Sequence, residues 1–359
     1  MIKSAVAIIL LIWPICAFAA PAITGYSGTI TDNGDITISG SAFGTGPAAV
    51  EWLGGTTGNI ESGANNANFS RTNWIQDGNN PWPENYPKYS TAQAHSGSKS
   101  IYCNPTGTSW NSVMVYHLPT AITSSGSLFI SQWVRITKTG SSGQWKMWRF
   151  NDYNSITDPN TPGLVFFDWT NGLQICGNTS SWSYTGLDSE LNPISTQSTW
   201  FRLDVYITCS LNSTGSVVMR KYIPGVSRET GTLSNYSTFG VSSEWNYLIW
   251  QNYCGNGLDS LDIYYDDIYI SPNSQARVEI GNNSTYENCT HLEIQPTSSW
   301  ASENITCRVN RGSFGASSTA YLFVIDSTGA VSSGYAITFG DTPPTMSGAT
   351  CSGCSLNVP

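Results

Sequence analysis

Charge is scarce in this 359-residue chain: Asp, Glu, Lys and Arg make up 11% of it, with 24 acidic residues against 15 basic ones. The formal net charge of -9 lacks the basic footprint that a nucleic-acid partner requires, so that class is excluded. Histidine is also sparse, limited to His95, His117 and His291. No window beyond residue 20 carries the apolar repeat of an amphipathic helix. No second long apolar run follows the first one, so no membrane span is expected in the mature chain. A phosphate loop, a haem motif, a zinc signature and a nucleophile elbow are all missing. What is abundant is 34 Gly, 14 Trp and 18 Tyr, set among Ser, Thr and Asn. That is the composition of an extracellular β-sandwich, since helical proteins are richer in Ala, Leu, Glu and Lys.

Residues 1–20 read as an export signal. Lys3 supplies the positive start, Ala5 to Cys16 is mostly apolar, and Ala17-Phe18-Ala19 fits a cleavage site. Cleavage after Ala19 or Ala20 is expected, giving a secreted, extracellular protein. Removing Cys16 from the nine cysteines leaves an even eight, which in an exported chain favours disulfides. A Cys289–Cys307 bridge is expected in the C-terminal segment, and Cys351-Ser-Gly-Cys354 reads as a tight tail disulfide. Cys176 and Cys209 lie on two apolar runs and could pair, leaving Cys103 and Cys254.

The two ends look like halves of one small domain. Ile23 to Gly44 reads as a strand, a turn at Asp32-Asn33-Gly34, and a second strand with Ile36 and Ile38 on one face. Ala276 to Gly281 resumes in the same style. Between them, strand runs recur with Gly, Asn, Ser and Pro clusters separating them, as in a two-sheet sandwich. Phe201, Leu203, Val205 and Ile207 alternate with Arg202, Asp204 and Tyr206, so one side faces a core and the other solvent or ligand. The expected fold class is all-β, a jelly-roll sandwich inserted in, or flanked by, a small immunoglobulin-like domain. The expected division is 21–49 and 273–341 for the small domain, 50–272 for the sandwich, and 342–359 for a Cys-containing tail.

The runs Ala94-His95-Ser96-Gly97-Ser98-Lys99-Ser100, SQWVRIT at Ser131 to Thr137, WFRLDVYI at Trp200 to Ile207 and YYDDIYIS at Tyr264 to Ser271 give the middle segment a resemblance to the concanavalin A-like lectin/glucanase superfamily. The flanks, through Ile36 to Gly44, Val278 to Gly281 and Ile305 to Gly340, resemble an IPT/TIG domain. The first resemblance implies a glycan ligand on the concave sheet, hence an extracellular polysaccharide partner. Aromatic faces would stack on pyranose rings and planar polar groups would fix hydroxyls. Trp145, Lys146, Trp148, Arg149, Trp250, Gln251 and Asn252 are the candidates. Alternation puts Lys146 and Trp148 on one face, and Trp145 and Arg149 on the other. Trp74 and Trp82 could line the rim.

Asp266-Asp267 is the best metal candidate, one carboxylate holding a structural Ca²⁺ of the kind related jelly rolls often contain. Adjacent strand residues point apart, so the two carboxylates are not expected to share an environment. Lyases of this fold class use Tyr, His and Arg, a set that Tyr116, His117, Lys146 and Arg149 could supply. A hydrolase needs two flanking carboxylates, for which Asp168, Asp204 and Glu244 offer no evident pairing. The leading expectation is therefore a secreted carbohydrate-binding protein. The alternatives are a polysaccharide lyase or glycoside hydrolase on the same scaffold, and an adhesin or surface-structure component.

Overall fold

The computed structural model describes residues 19–56, 60–75, 86–106, 112–140, 144–151, 164–169, 172–178, 182–186, 191, 198–239, 244–255 and 258–340. The export signal up to residue 18, Trp82, and the Cys351 and Cys354 tail lie outside the described residues. No described helix is long and apolar enough to cross a membrane.

The β-branched and aromatic runs form strands, and among the described residues they assemble four antiparallel sheets. A seven-stranded sheet runs in the order Trp182–Gly186, Gly172–Asn178, Leu164–Trp169, Gln144–Asn151, Glu244–Gly255, Met114–Thr123, Trp74–Ile75. An eight-stranded sheet packs against it: Ser227–Tyr236, Gly215–Ile223, Phe201–Thr208, Ser127–Gly140, Leu258–Pro272, Ser100–Cys103 and Lys88–Ser90, with Glu51–Leu53 also paired to Leu258–Pro272. Their shared core includes Ile101, Ile130, Val134, Phe150, Phe166, Leu203, Val205, Leu248 and Ile263. Polar bridges cross it, among them the Trp250 indole N–H donating to Gln132 Oε1 at 2.6 Å and Tyr265 Oη donating to Asn252 Oδ1 at 2.6 Å.

Strands from both ends of the chain build a second two-sheet unit. One sheet runs Ala22–Gly28, Asp35–Ser41, Asn304–Arg308, Thr297–Trp300, and the other Leu292–Gln295, Arg277–Gly281, Thr319–Ile325, Tyr335–Thr338. Ile36 pairs with Cys307 and Ile38 with Ile305, so the N-terminal hairpin is completed by C-terminal residues. Ile36, Ile38, Phe43, Val278, Ile280, Ile305, Leu322 and Val324 share its core. A lone hairpin would hold itself together poorly, whereas here it gains sheet neighbours and a buried face.

The alternation along Phe201–Thr208 is observed, but at Arg202 and Asp204 its polar side meets the small unit, with Tyr206 half-buried beyond them. Arg202 and Asp204 are buried against the small unit at 0% and 1% exposure. Arg202 donates to both oxygens of Asp204 at 2.8 and 2.9 Å, to the Leu292 carbonyl at 3.0 Å, and to Glu279 of the small unit. Arg277 donates to Glu279 Oε1 at 2.9 Å and Tyr286 Oη to Glu279 Oε2 at 2.7 Å. Apolar contacts flank this network: Phe129 and Tyr269 meet Ile294, and Tyr222 meets Tyr286, Leu292 and Phe323.

The expected Cys289–Cys307 bridge is not formed. Cys289 packs with Tyr286 and Leu292, its thiol donating to the Asn283 carbonyl at 3.4 Å, while Cys307 lies in the core of the small unit. Nor do Cys176 and Cys209 pair, because Cys176 packs with Val165 on the outer side of the seven-stranded sheet and Cys209 lies between the sheets. Burial pushes the Cys209 and Cys254 thiols up to about 12 and the Cys289 thiol up to about 11. Thiolate is the reactive form, so native Cys103, Cys209, Cys254, Cys289 and Cys307 should resist thiol reagents at neutral pH and react only in denaturant. Reductant should leave the melting temperature unchanged; a fall on reduction would contradict these as thiols.

Candidate functional site

The small unit covers part of the outer face of the eight-stranded sheet, through Trp133, Arg202 and Phe129. The candidate binding residues lie on two neighbouring strands of the seven-stranded sheet, Gln144–Asn151 and Glu244–Gly255. A bulge decides which side chains their outer face presents. Trp148 pairs with Trp250, and Lys146 with Tyr253, so Gln251 and Asn252 together oppose Met147. On the other flank Met147 is itself the extra residue, since the adjacent Phe166 and Phe167 pair with Trp148 and Lys146. A bulge breaks period-two alternation, and Met147 and Trp148 both enter the core, as do Trp145 and Phe150. Lys146 and Arg149 are thereby left together on the outside. This corrects the expectation that separated them.

The same parity removes the tryptophans. Trp145, Trp148 and Trp250 are at most 1% exposed and belong to the inter-sheet core, so none offers a face to a sugar. Asn252 is buried too, donating to the Ser112 carbonyl at 2.8 Å and accepting from Tyr265 Oη at 2.6 Å. Trp74, expected at the rim, is 3% exposed and donates to Glu51 Oε1 at 3.0 Å. The Gln251 side chain lies outside the described ones. Many aromatics in a chain signal a sugar platform or a thick core, and here they build the core.

What remains on the outer face is cationic and aromatic. Lys146 Nζ sits 4.7 Å from the centre of the Tyr253 ring. Burial and, after it, the neighbouring Arg149 guanidinium hold the Lys146 ammonium below the usual lysine range. Arg149 itself is 3% exposed. Beside them, Val113, Val115 and Ile249 form an apolar strip with Tyr247 packed against it. Of the expected lyase set, Tyr116 belongs to the core at 3% exposure. His117 is exposed and stacks on Tyr247 at 4.8 Å. Tyr247 pairs in turn with Asn151, which stands five residues from Lys146, or roughly 16 Å along the strand. Lys146, Arg149 and Tyr253 therefore come together, and Tyr116 and His117 do not join them. Tyr253 closes the run Leu248-Ile249-Trp250-Gln251-Asn252-Tyr253 that offers aromatic and polar groups in the sequence, but it was not among the residues singled out.

The Asp266 and Asp267 carboxylates, expected in separate environments, meet at one turn. Asp266 pairs with Trp133 and Tyr269 with Ser131, so a bulge lies between them, and Asp267 takes a left-handed φ of 47°. Core parity shifts from Ile263 and Tyr265 to Ile268 and Ile270, leaving both aspartates on the outer side. Asp266 Oδ2 accepts from the backbone N–H of His95 at 2.9 Å and of Ser96 at 3.1 Å. Asp267 Oδ1 accepts from Gly55 N–H at 2.8 Å and Ser96 Oγ at 2.9 Å. The pair fastens the Ala94 to Gly97 turn against the sheet. Gly97 there has a φ of 62°, and a Cβ on it would stand 2.5 Å from Glu61 Oε1.

The carboxylates considered for hydrolysis do not converge among the described side chains. Asp204 is tied to Arg202 at the joint, and Glu244 accepts from Asn246 at 2.9 Å on the other sheet. The Asp168 side chain lies outside the described ones. A cleft of about 210 Å³ opens where the two units meet, lined by Asn33, Asp35, Trp52, Arg308 and Asn310. It holds none of the residues singled out from the sequence.

No family model matches the chain, and no curated protein does. Among solved structures, it is similar to an endo-β-1,4-glucuronan lyase from the fungus Trichoderma reesei, at 10% identity and a TM-score of 0.40, covering 56% of this chain and 95% of that one. It is also similar to the alginate lyase Aly36B, at 12% identity and a TM-score of 0.37, covering 63% and 98%. The lectin UEA-II, complexed with galactose, gives 13% identity and a TM-score of 0.37, covering 63% and 99%.

Proposed function

We propose that this chain is exported and binds an extracellular polysaccharide carrying carboxylates, across the outer face of its seven-stranded sheet. The observation that carries the reading is the bulge at Met147, which turns Lys146 and Arg149 onto one face beside Tyr253. Lys146, half-buried and set over the Tyr253 ring, offers a cation and an aromatic face to a chain that carries carboxylates. The half-buried Tyr247 and Tyr253 rings on this face offer contact to ring faces.

The second reading is a lyase acting on the same ligand, favoured by the depressed Lys146 beside the Tyr253 ring. In β-elimination Arg149 would neutralise the uronate carboxylate. The uncharged Lys146 amine would take the proton on the adjacent carbon. The C–O bond to the leaving sugar would break as a C=C bond forms, and Tyr253 would protonate the departing oxygen. Incubation with a polyuronate and with a neutral glucan tests both. Retention on the polyuronate alone is the expected result, and absorbance from unsaturated uronate would add the lyase. Equal retention on the neutral glucan, or none on either, would overturn the proposal.

A further inference from the structure

The joint between the sandwich and the small unit holds a group of side chains that the polysaccharide reading does not use. His95 comes from the turn fastened by Asp266 and Asp267. His291 and Glu293 come from the segment that forms the Leu292–Gln295 strand. One ligand atom from each lies within 4.8 Å of the others, the one such trio found among the described residues. Glu293 Oε1 stands 2.7 Å from His291 Nε2 and 3.3 Å from His95 Nε2. Ligand atoms around a tetrahedral zinc-sized ion stand roughly 3.3 Å apart, given metal–ligand bonds of about 2.0 Å. One contact already has that spacing, the second needs to open by about half an ångström, and the two imidazole nitrogens stand within 4.8 Å of each other.

Three further observations bear on the same point. His95 Nε2 is buried and has no hydrogen-bond partner, although its side chain is only 2% exposed. Its other nitrogen, Nδ1, lies 2.8 Å from Asp267 Oδ2, the carboxylate–imidazole pairing that orients a metal-bound histidine and leaves Nε2 as the ligand. The second oxygen of Glu293 accepts from the Trp133 indole N–H at 2.9 Å, which aims Oε1 at the two imidazoles. Both rings are held by stacking, His95 on Trp133 at 3.7 Å and His291 on Phe314 at 3.9 Å.

The geometry points to a metal site made by His95 Nε2, His291 Nε2 and Glu293 Oε1, taking a zinc-class divalent transition ion and tying the sandwich to the small unit. Two imidazoles and one carboxylate favour such an ion over calcium or magnesium, which take oxygen ligands. Ser313 Oγ, 3.2 Å from His291 Nε2, stands beside the fourth position. The signature is absent from the sequence because the two histidines come from segments far apart in the chain.

The test is titration of the chelator-stripped full chain with Co²⁺, followed by displacement with Zn²⁺. One equivalent should bind, with visible bands of a tetrahedral or five-coordinate nitrogen/oxygen site, and Zn²⁺ should raise the melting temperature until chelator reverses it. His291→Gln should weaken Co²⁺ binding at least tenfold. Absorption fine structure on wild-type protein loaded with Zn²⁺ should show two imidazoles, a readout that needs no variant to fold. No binding by the wild type, binding unchanged in His291→Gln, or a thiolate-to-cobalt band placing the ion on cysteine would each overturn the proposal.

Discussion

Replacing Arg202 by Met is expected to destabilise the folded chain by about 3–5 kcal/mol, the cost of breaking a buried ion pair from one side. Arg202 is fully buried and bonds Asp204, the Leu292 carbonyl and Glu279 at once. Its loss leaves Asp204, 1% exposed, without the guanidinium that grips both its oxygens. Glu279 keeps Arg277 and Tyr286. Most of the damage therefore falls on Asp204 and on the joint. Denaturant unfolding at neutral pH measures it, and a loss below about 1 kcal/mol would mean the network is weakly coupled to folding.

Acid should act on the same joint. Burial alone would push Glu279 up, but the Arg202 and Arg277 guanidiniums, with hydrogen bonds from Arg202 and Tyr286, hold its carboxyl at about 2 rather than the ordinary 4.5. A carboxyl depressed on folding contributes stability that is fully present above its unfolded value. That contribution is lost as pH falls from about 4.5 towards 2. Glu279→Gln should flatten the stability profile in that window.

Reversing the charge of Lys146 should abolish retention on a polyuronate, with at least a tenfold loss of affinity, or about 1.4 kcal/mol. Lys146→Glu places a carboxylate where the ligand's carboxylates would lie. His117→Ala is the control, since its exposed ring stacks on Tyr247 away from Lys146. Added salt should weaken wild-type binding, as for any contact made by partly exposed charges. The lowered Lys146 range gives a pH signature as well. Retention should fall, as pH rises, at a lower pH than an ordinary lysine would give, because only the ammonium attracts the ligand. Equal retention by Lys146→Glu and wild type would remove the outer face as the binding surface.

Composition and strand alternation were enough to read an all-β chain with a sandwich in its middle, because period-two burial is written residue by residue. The inward set of Phe201, Leu203, Val205 and Ile207 could be named from spacing alone. The polar edge strand Ser227–Tyr236 could not, since its mostly half-exposed residues show no alternation. That the two ends share one small unit was suggested by the look of both, but the pairing of Ile36 with Cys307 is long-range and no local pattern names it.

The sequence by itself determined the class of fold and the short list of polar side chains near its strands. The tertiary structure decided which way they point. Two bulges, at Met147 and at Asp267, reverse the parity of their strands, bringing Lys146 beside Arg149 and Asp266 beside Asp267. A bulge depends on what the partner strand offers, so no local pattern announces it. The joint is the same kind of decision: His95 meets Glu293, and Arg202 meets Glu279, only because the sandwich and the small unit press polar groups together, out of water.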